Sequence, residues 1–144
     1  MIRRIAAGVG IILLIAGLTA CGGPEEKKAK FFNKGKALYE QSDYVKARLE
    51  FKNALQIDPE YADAYYWLGM TELKEGQFKP AFGAFSKAVD LNPDLLDAQI
   101  ELGRIFQLSR AMDKAMKKAE LVLTKEPDNP QALVLKGSVL LADK

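Results

Sequence analysis

The chain has 144 residues, enough for one domain, and 49% of them are apolar, so a sizeable core is within reach. There is no histidine and one cysteine, Cys21, which removes the commonest general base and zinc ligand and leaves no partner for an internal disulfide. The formal charge of +2 comes from Arg3 and Arg4; the remaining basic and acidic residues balance, which gives no electrostatic reason to expect nucleic acid as a partner.

In chain order, two arginines are followed by an apolar run from Ile5 to Leu18, broken only by glycines, and then by Thr19, Ala20 and Cys21. Charged, apolar and small, in that order, is the pattern of a secretory signal. The run falls short of the roughly 20 residues a membrane-spanning helix needs. Leu18-Thr19-Ala20-Cys21 resembles the bacterial lipobox. That resemblance implies a diacylglyceryl group on the Cys21 thiol, cleavage before it, and a membrane-anchored N-terminus carrying two or more acyl chains such as palmitate. An uncleaved anchor with an incidental thiol is the alternative. Gly22, where an Asp would imply inner-membrane retention, points by the same resemblance to the outer membrane, facing the periplasm. Residues 1–20 are thus expected to be the signal peptide, and residues 21–27 the lipidated cysteine and a flexible tether.

The rest repeats at a period of 34: Gly35, Gly69, Gly103 and Gly137; Ala47, Ala81 and Ala115; Pro59, Pro93 and Pro127. Between them fall Phe51, Phe85 and Ala119, then Ala54, Ala88 and Val122. Each repeat has two helical stretches, with turn signals at Ser42-Asp43, Gly76-Gln77 and Ser109-Arg110. Ala47, Phe51, Ala54 and Leu55 share one helical face. Asp58-Pro59 and Asn92-Pro93 end the second helices, while Pro80 falls in a first turn, where it is tolerated. No alternating strand pattern occurs. These positions resemble the tetratricopeptide repeat (TPR). The resemblance implies an all-α TPR solenoid of antiparallel helix pairs, with repeats at 28–61, 62–95 and 96–129 and a half repeat or capping helix at 130–144. The third repeat departs most, with Gln99, Arg110, Met112 and Ala119 where the family has aromatics or glycine, so looser packing is expected there. Val134, Leu135, Val139, Leu140 and Leu141 make the last helix very apolar for a cap, which implies a partner or a further repeat over it, or a fragment.

In TPR arrays the first helices line a concave surface. By resemblance its inward positions are Phe32, Lys36 and Tyr39; Tyr66, Met70 and Leu73; Ile100, Arg104 and Gln107; and Val134 with Ser138. Aromatics and arginine are the residue types that carry interface energy, and an extended peptide or amphipathic helix with a few acidic side chains suits this mixture. Ordinary inter-helix packing is the alternative role for any one of them. Heat-shock co-chaperone TPRs clamp a carboxylate with Lys and Asn; the matching positions here, Phe32, Lys36, Trp67, Asp97 and Glu101, hold a single cation. Trp67 reads as a packing residue, and the cluster Arg110, Lys114, Lys117, Lys118 and Lys125, interleaved with acids, as a solvated face.

No catalytic residue is expected, since histidine is absent, the thiol is committed to lipid and no phosphate-cradling loop is present. No metal, cofactor or small-molecule substrate is expected either. The implied function is a lipid-anchored, protein-binding scaffold of the bacterial cell envelope. The stretch Phe51–Gln56 with Asp58-Pro59 resembles TPR lipoproteins paired with exosortase and exopolysaccharide systems, and pilus-assembly lipoproteins share the architecture. The alternative is a structural lipoprotein contacting envelope polysaccharide or peptidoglycan, with Tyr39, Tyr66 and Trp67 stacking on sugars.

Overall fold

A computed structural model describes residues 23–142. The signal segment, the Leu18–Cys21 box and the lipidation site lie outside the described residues. Seven helices and no strand occur among those described: α1 (Pro24–Glu40), α2 (Tyr44–Ile57), α3 (Ala62–Lys74), α4 (Phe78–Leu91), α5 (Leu96–Leu108), α6 (Met112–Lys125) and α7 (Pro130–Ala142). None of them is long and apolar enough to cross a membrane. Each helix packs on the next. In addition α1 touches α3 and α5 touches α7, whereas no comparable contact joins α2, α4 and α6. The first helices of the pairs are therefore the closer-set layer, and the array curves toward them.

One correction concerns the expected tether: residues 24–27 are the first turn of α1. Pro24 sits at the start, where its missing N–H costs nothing, and Glu25 and Glu26 complement the helix dipole. Lys28 then bonds Asp58 at the end of α2 at 2.8 Å, tying the helix start to its partner.

The loops repeat in kind. Ser42, Gly76 and Arg110, each 34 residues apart, all take the left-handed conformation, with φ of 62°, 72° and 62°. At the other end, Asp58, Asn92 and Glu126 are extended, as a following proline demands, and their N–H groups donate back to Ala54, Ala88 and Val122. The Asp58 and Asn92 side chains also accept the N–H two residues on, at 3.0 and 3.1 Å, which tightens the turn into the next pair.

The core is a column of helix-face residues of the second helices. Ala47, Phe51 and Ala54, Ala81, Phe85 and Ala88, and Ala115, Ala119 and Val122 are all fully buried. A Cβ on Gly35 would stand 2.7 Å from the Phe51 ring, and one on Gly69 2.7 Å from the Phe85 ring. The glycines are thus the seats of the two rings. Ala119 supplies no ring to the third seat, and α5 and α6 meet less extensively than the helices of the first two pairs, as the sequence led one to expect. Leu135, reaching in from α7 and 2% exposed, lies over Gly103 and clusters with Ala115, Ala119 and Val139. Charges link successive pairs: Arg48 of α2 bonds Glu72 of α3 at 3.1 Å and also pairs with Glu75.

Two outcomes test this account. Leu135→Ala empties the third seat and is expected to cost about 2–5 kcal/mol in urea unfolding. Arg110→Gly and Ser42→Gly relieve a left-handed non-glycine residue and are each expected to raise stability by about 0.5–1 kcal/mol.

Candidate binding groove

The closer-set layer of α1, α3, α5 and α7 carries the sequence-derived groove positions. The structure sorts them into three groups. The first is an aromatic wall. Lys36 Nζ stands 5.0 Å over the Trp67 ring and 5.9 Å from that of Phe32. Tyr39 meets Trp67 edge-on at 5.2 Å, and Tyr66 meets it edge-on at 5.7 Å. Phe32 leans on Tyr61 and Phe51, at 4.9 and 6.0 Å. Phe51 is fully buried and the others are half-buried, so the wall is partly open.

The second group is charged and comes mainly from α5. Glu101 is 7% exposed and accepts from Arg104 at 2.7 Å. Burial holds its carboxyl above the usual carboxylate range, with Asp97 pushing the same way, and Arg104 only partly offsets this. The Tyr66 hydroxyl is pushed up to about 12, first by burial and then by Asp97 and Glu101. The aromatic wall therefore lies within electrostatic reach of these carboxylates. Both cations of the expected groove are already engaged: Lys36 by a ring, Arg104 by a carboxylate.

The third group falls to the core. Ile100 is fully buried against Val122 and Ala132, so it offers no groove surface, contrary to the sequence expectation. Ala132 of α7 closes over it. Met70 and Leu73 pack against the cluster built on Phe85 and Leu102 and are only partly open. Gln107 and Ser138 are half-buried. Val134 is 69% exposed, but it lies on a separate apolar face of α7.

Trp67 and Glu101, singled out from sequence only as counterparts of the co-chaperone clamp, take part in this layer, Trp67 in the aromatic wall and Glu101 in the charged group. They occupy one register, 34 residues apart, with exposed Asn33 as its first member. That register was the available signal.

The basic cluster on α6 is more engaged than a solvated face. Lys118 bonds Gln99 at 2.6 Å, Lys125 pairs with Asp94, and Lys114 stands 5.5 Å over the Phe106 ring. A surface depression of about 540 Å³, lined by Arg110, Lys114 and Lys117 among others, lies there rather than in the groove. The groove sets aromatics of two helices near a buried carboxylate, whereas that depression is rimmed by exposed Arg110, Lys114 and Lys117. A broad open surface suits a chain segment better than an enclosed small molecule.

Residues 35–76 match the family model described as TPR repeat, and residues 62–95 the model described as tetratricopeptide repeat. Protein CTR9 homolog of Arabidopsis thaliana is 25% identical over 120 residues, covering 81% of this chain and 11% of that protein. The chain spans about a tenth of the length of the curated relatives it matches. Among solved structures, the first TPR of Spaghetti (RPAP3) bound to the HSP90 peptide SRMEEVD is similar with a TM-score of 0.77 and 22% identity, covering 81% of this chain and 93% of that one. The Yersinia enterocolitica type III secretion chaperone SycD, in complex with a peptide of the translocator YopD, is similar with a TM-score of 0.74 and 12% identity, covering 83% and 96%.

Glu101 gives a pH test. Its folded carboxyl titrates above the ordinary value of 4.5, so the native state binds the proton more tightly than the unfolded chain does. The resulting stabilisation is present below pH 4.5 and is lost as pH rises through the folded value. Glu101→Gln is therefore expected to raise the urea midpoint at pH 7, with the gain vanishing below pH 4.5.

Proposed function

We propose that this tetratricopeptide-repeat solenoid is a lipid-anchored scaffold of the bacterial cell envelope that holds a protein segment in its groove. The carrying observation is the wall of Tyr39, Trp67 and Tyr66 set against buried Glu101 and its partner Arg104. Half-buried aromatics near a buried carboxylate whose arginine partner stays exposed supply the residue types that carry interface energy. The RPAP3 and SycD structures hold peptides, which supports this use of the fold. The ligand itself differs from the acidic HSP90 tail. Asp97 and Glu101 stand at positions where co-chaperone TPRs use cations, so an acidic C-terminus is repelled. An amphipathic segment with aromatic or aliphatic side chains for the wall, and at most a basic residue toward Asp97, fits better.

Anchoring through Cys21 rests on the Leu18–Cys21 box, and the outer membrane is favoured by Gly22. The chain has no histidine, and no group in the groove nominates itself as a nucleophile or acid–base pair, so we read it as a non-catalytic scaffold. An assembly, secretion, pilus or exopolysaccharide machine supplies the natural partners for such an anchor. Sugar stacking is less suited to this wall: the Tyr39–Trp67 and Tyr66–Trp67 rings meet at 76°, consuming each other's faces and edges rather than presenting one flat platform.

The test places a photo-reactive amino acid at Arg104 of the full chain in its own envelope, with Thr124 on the outer face as control. A discrete protein adduct from Arg104, absent from Thr124 and reduced about tenfold by Trp67→Ala, is the expected result. Adducts to glycan alone, or equal adducts from both sites, would overturn the groove. Alkynyl palmitate is expected to label the chain and to be lost in Cys21→Ser; labelling that persists in Cys21→Ser sinks the anchor.

A further inference from the structure

The junctions between successive helix pairs are not alike. Between the first two pairs, Arg48 of α2 crosses to Glu72 and Glu75 of α3 and closes the contact with charge. One period on, Phe82 and Phe106 stand in the places of Arg48 and Glu72, and their rings meet edge-on at 5.6 Å. This second junction stays open. Phe78 is 53% exposed, Phe82 38% and Leu108 70%. A notch of about 350 Å³ lies among Phe78, Ile105, Leu108 and Ser109. A further depression of about 350 Å³, floored by Phe106 and Leu121, shares Lys114 and Lys117 with the cationic one at Arg110. The notch adjoins both, since Ile105 and Ser109 precede Phe106 and Arg110 in the chain. Together they form a furrow, apolar at one end and cationic at the other. The helices that bound it, α4, α5 and α6, each have a packed neighbour on either side, so the opening is not an end of the array. Contiguous exposed side chains of this size mark an interaction surface.

The charge of the furrow selects its occupant. Its lining holds Arg110, Lys114, Lys117 and Lys118 against one acid, Asp113. Lys118 is spent on Gln99, at 2.6 Å. Lys114 rests 5.5 Å over the Phe106 ring, which keeps its charge beside the apolar floor. Aromatic and aliphatic surface framed by cations suits an acidic segment with apolar anchors. The groove has the opposite preference, because Asp97 and Glu101 repel such a segment. A bilayer is the poorer occupant. The first helices run in one direction, so the turns after α1, α3 and α5 share one edge of the solenoid, and Phe78, Leu108 and Arg110 sit at that edge. Helix α1 spans about 25 Å from Pro24 to this edge, whereas the chain from Cys21 to Pro24 reaches about 10 Å. An anchor at Cys21 thus holds the furrow off the membrane.

We propose that this furrow is a second docking site, which takes a segment of a partner protein with acidic side chains around aliphatic or aromatic anchors. One apolar side chain seats in the notch between Phe78 and Leu108, another lies along Phe106, and carboxylates face Arg110, Lys114 and Lys117. The chain then holds two segments of opposite charge preference, one on each layer of helices. Only the argument against the bilayer rests on the anchor reading; the furrow and its charge stand without it.

A photo-reactive amino acid at Leu108 of the full chain, in its own envelope, tests this, with exposed Gln56 of α2 as the control position. The expected result is a protein adduct at Leu108, absent at Gln56, whose cross-linked peptide reads by mass spectrometry as acidic residues flanking an apolar one. Arg110→Gly combined with Lys117→Glu is expected to reduce that adduct at least about tenfold. The glycine relieves a left-handed residue, so this variant keeps its helicity, which circular dichroism checks. Phe78→Ala is expected to weaken the adduct similarly; should it lose helicity, the charge variant decides alone. Trp67→Ala, which empties the groove, is expected to leave the Leu108 adduct unchanged. If the Arg104 adduct fails while this one persists, the groove reading falls and the furrow stands. No protein adduct from Leu108, an adduct to lipid or glycan instead, a basic or uncharged cross-linked segment, indifference to the charge variant, or loss with Trp67→Ala would each overturn the proposal.

Discussion

The close approach of a helix to the ring packed against it governs this molecule. Gly35 and Gly69 have no side chain because the space is taken by Phe51 and Phe85, both fully buried. Burying a phenylalanine is worth about 1.5–3 kcal/mol, and the alanines one turn to either side let the whole face sit flush. Everything else follows from having to repeat that contact. Turns must reverse the chain within a few residues, hence the left-handed Ser42, Gly76 and Arg110. Second helices must stop on time, hence Pro59, Pro93 and Pro127. A single pair leaves one face of its own uncovered, so the pairs stack.

The third pair shows how the constraint is met when the standard residue is missing. Ala119 leaves a void that would cost several kcal/mol if it stayed empty. Leu135 enters it from α7. That borrowing has a consequence for function: it draws α7 down onto α5, seals Ile100 inside, and shifts the open part of the groove toward the first two pairs and the charged edge of α5.

The groove balances opposing demands. Glu101 would be less costly as a neutral residue, since burial outweighs the relief Arg104 provides. The Tyr66 hydroxyl lies within the field of the same carboxylates. A site optimised only for stability would have filled this edge with aliphatic side chains. Strain of this kind, concentrated on the concave layer and flanked by half-buried rings, distinguishes a surface shaped for a partner from one shaped by packing alone.

The sequence by itself determined the periodic parts: the helix pairs, the 34-residue register, the proline stops, the turn positions and the glycine seats. Each of these depends on local conformation or on spacing within one helix, and both are written in the chain. It also contained the signal-like N-terminal segment, which lies beyond the described residues. Only the tertiary structure decided which residues of a given face are covered. Ile100 and Val134 occupy equivalent positions in successive repeats, yet one is fully buried and the other 69% exposed, because burial depends on the next helix in space and not on periodicity. Leu135 filling the seat that Ala119 left vacant, Lys36 resting on Trp67, and Glu101 being desolvated beside Tyr66 are all contacts between helices far apart in sequence. Their partners are chosen by how the pairs stack, and no spacing along the chain encodes that choice.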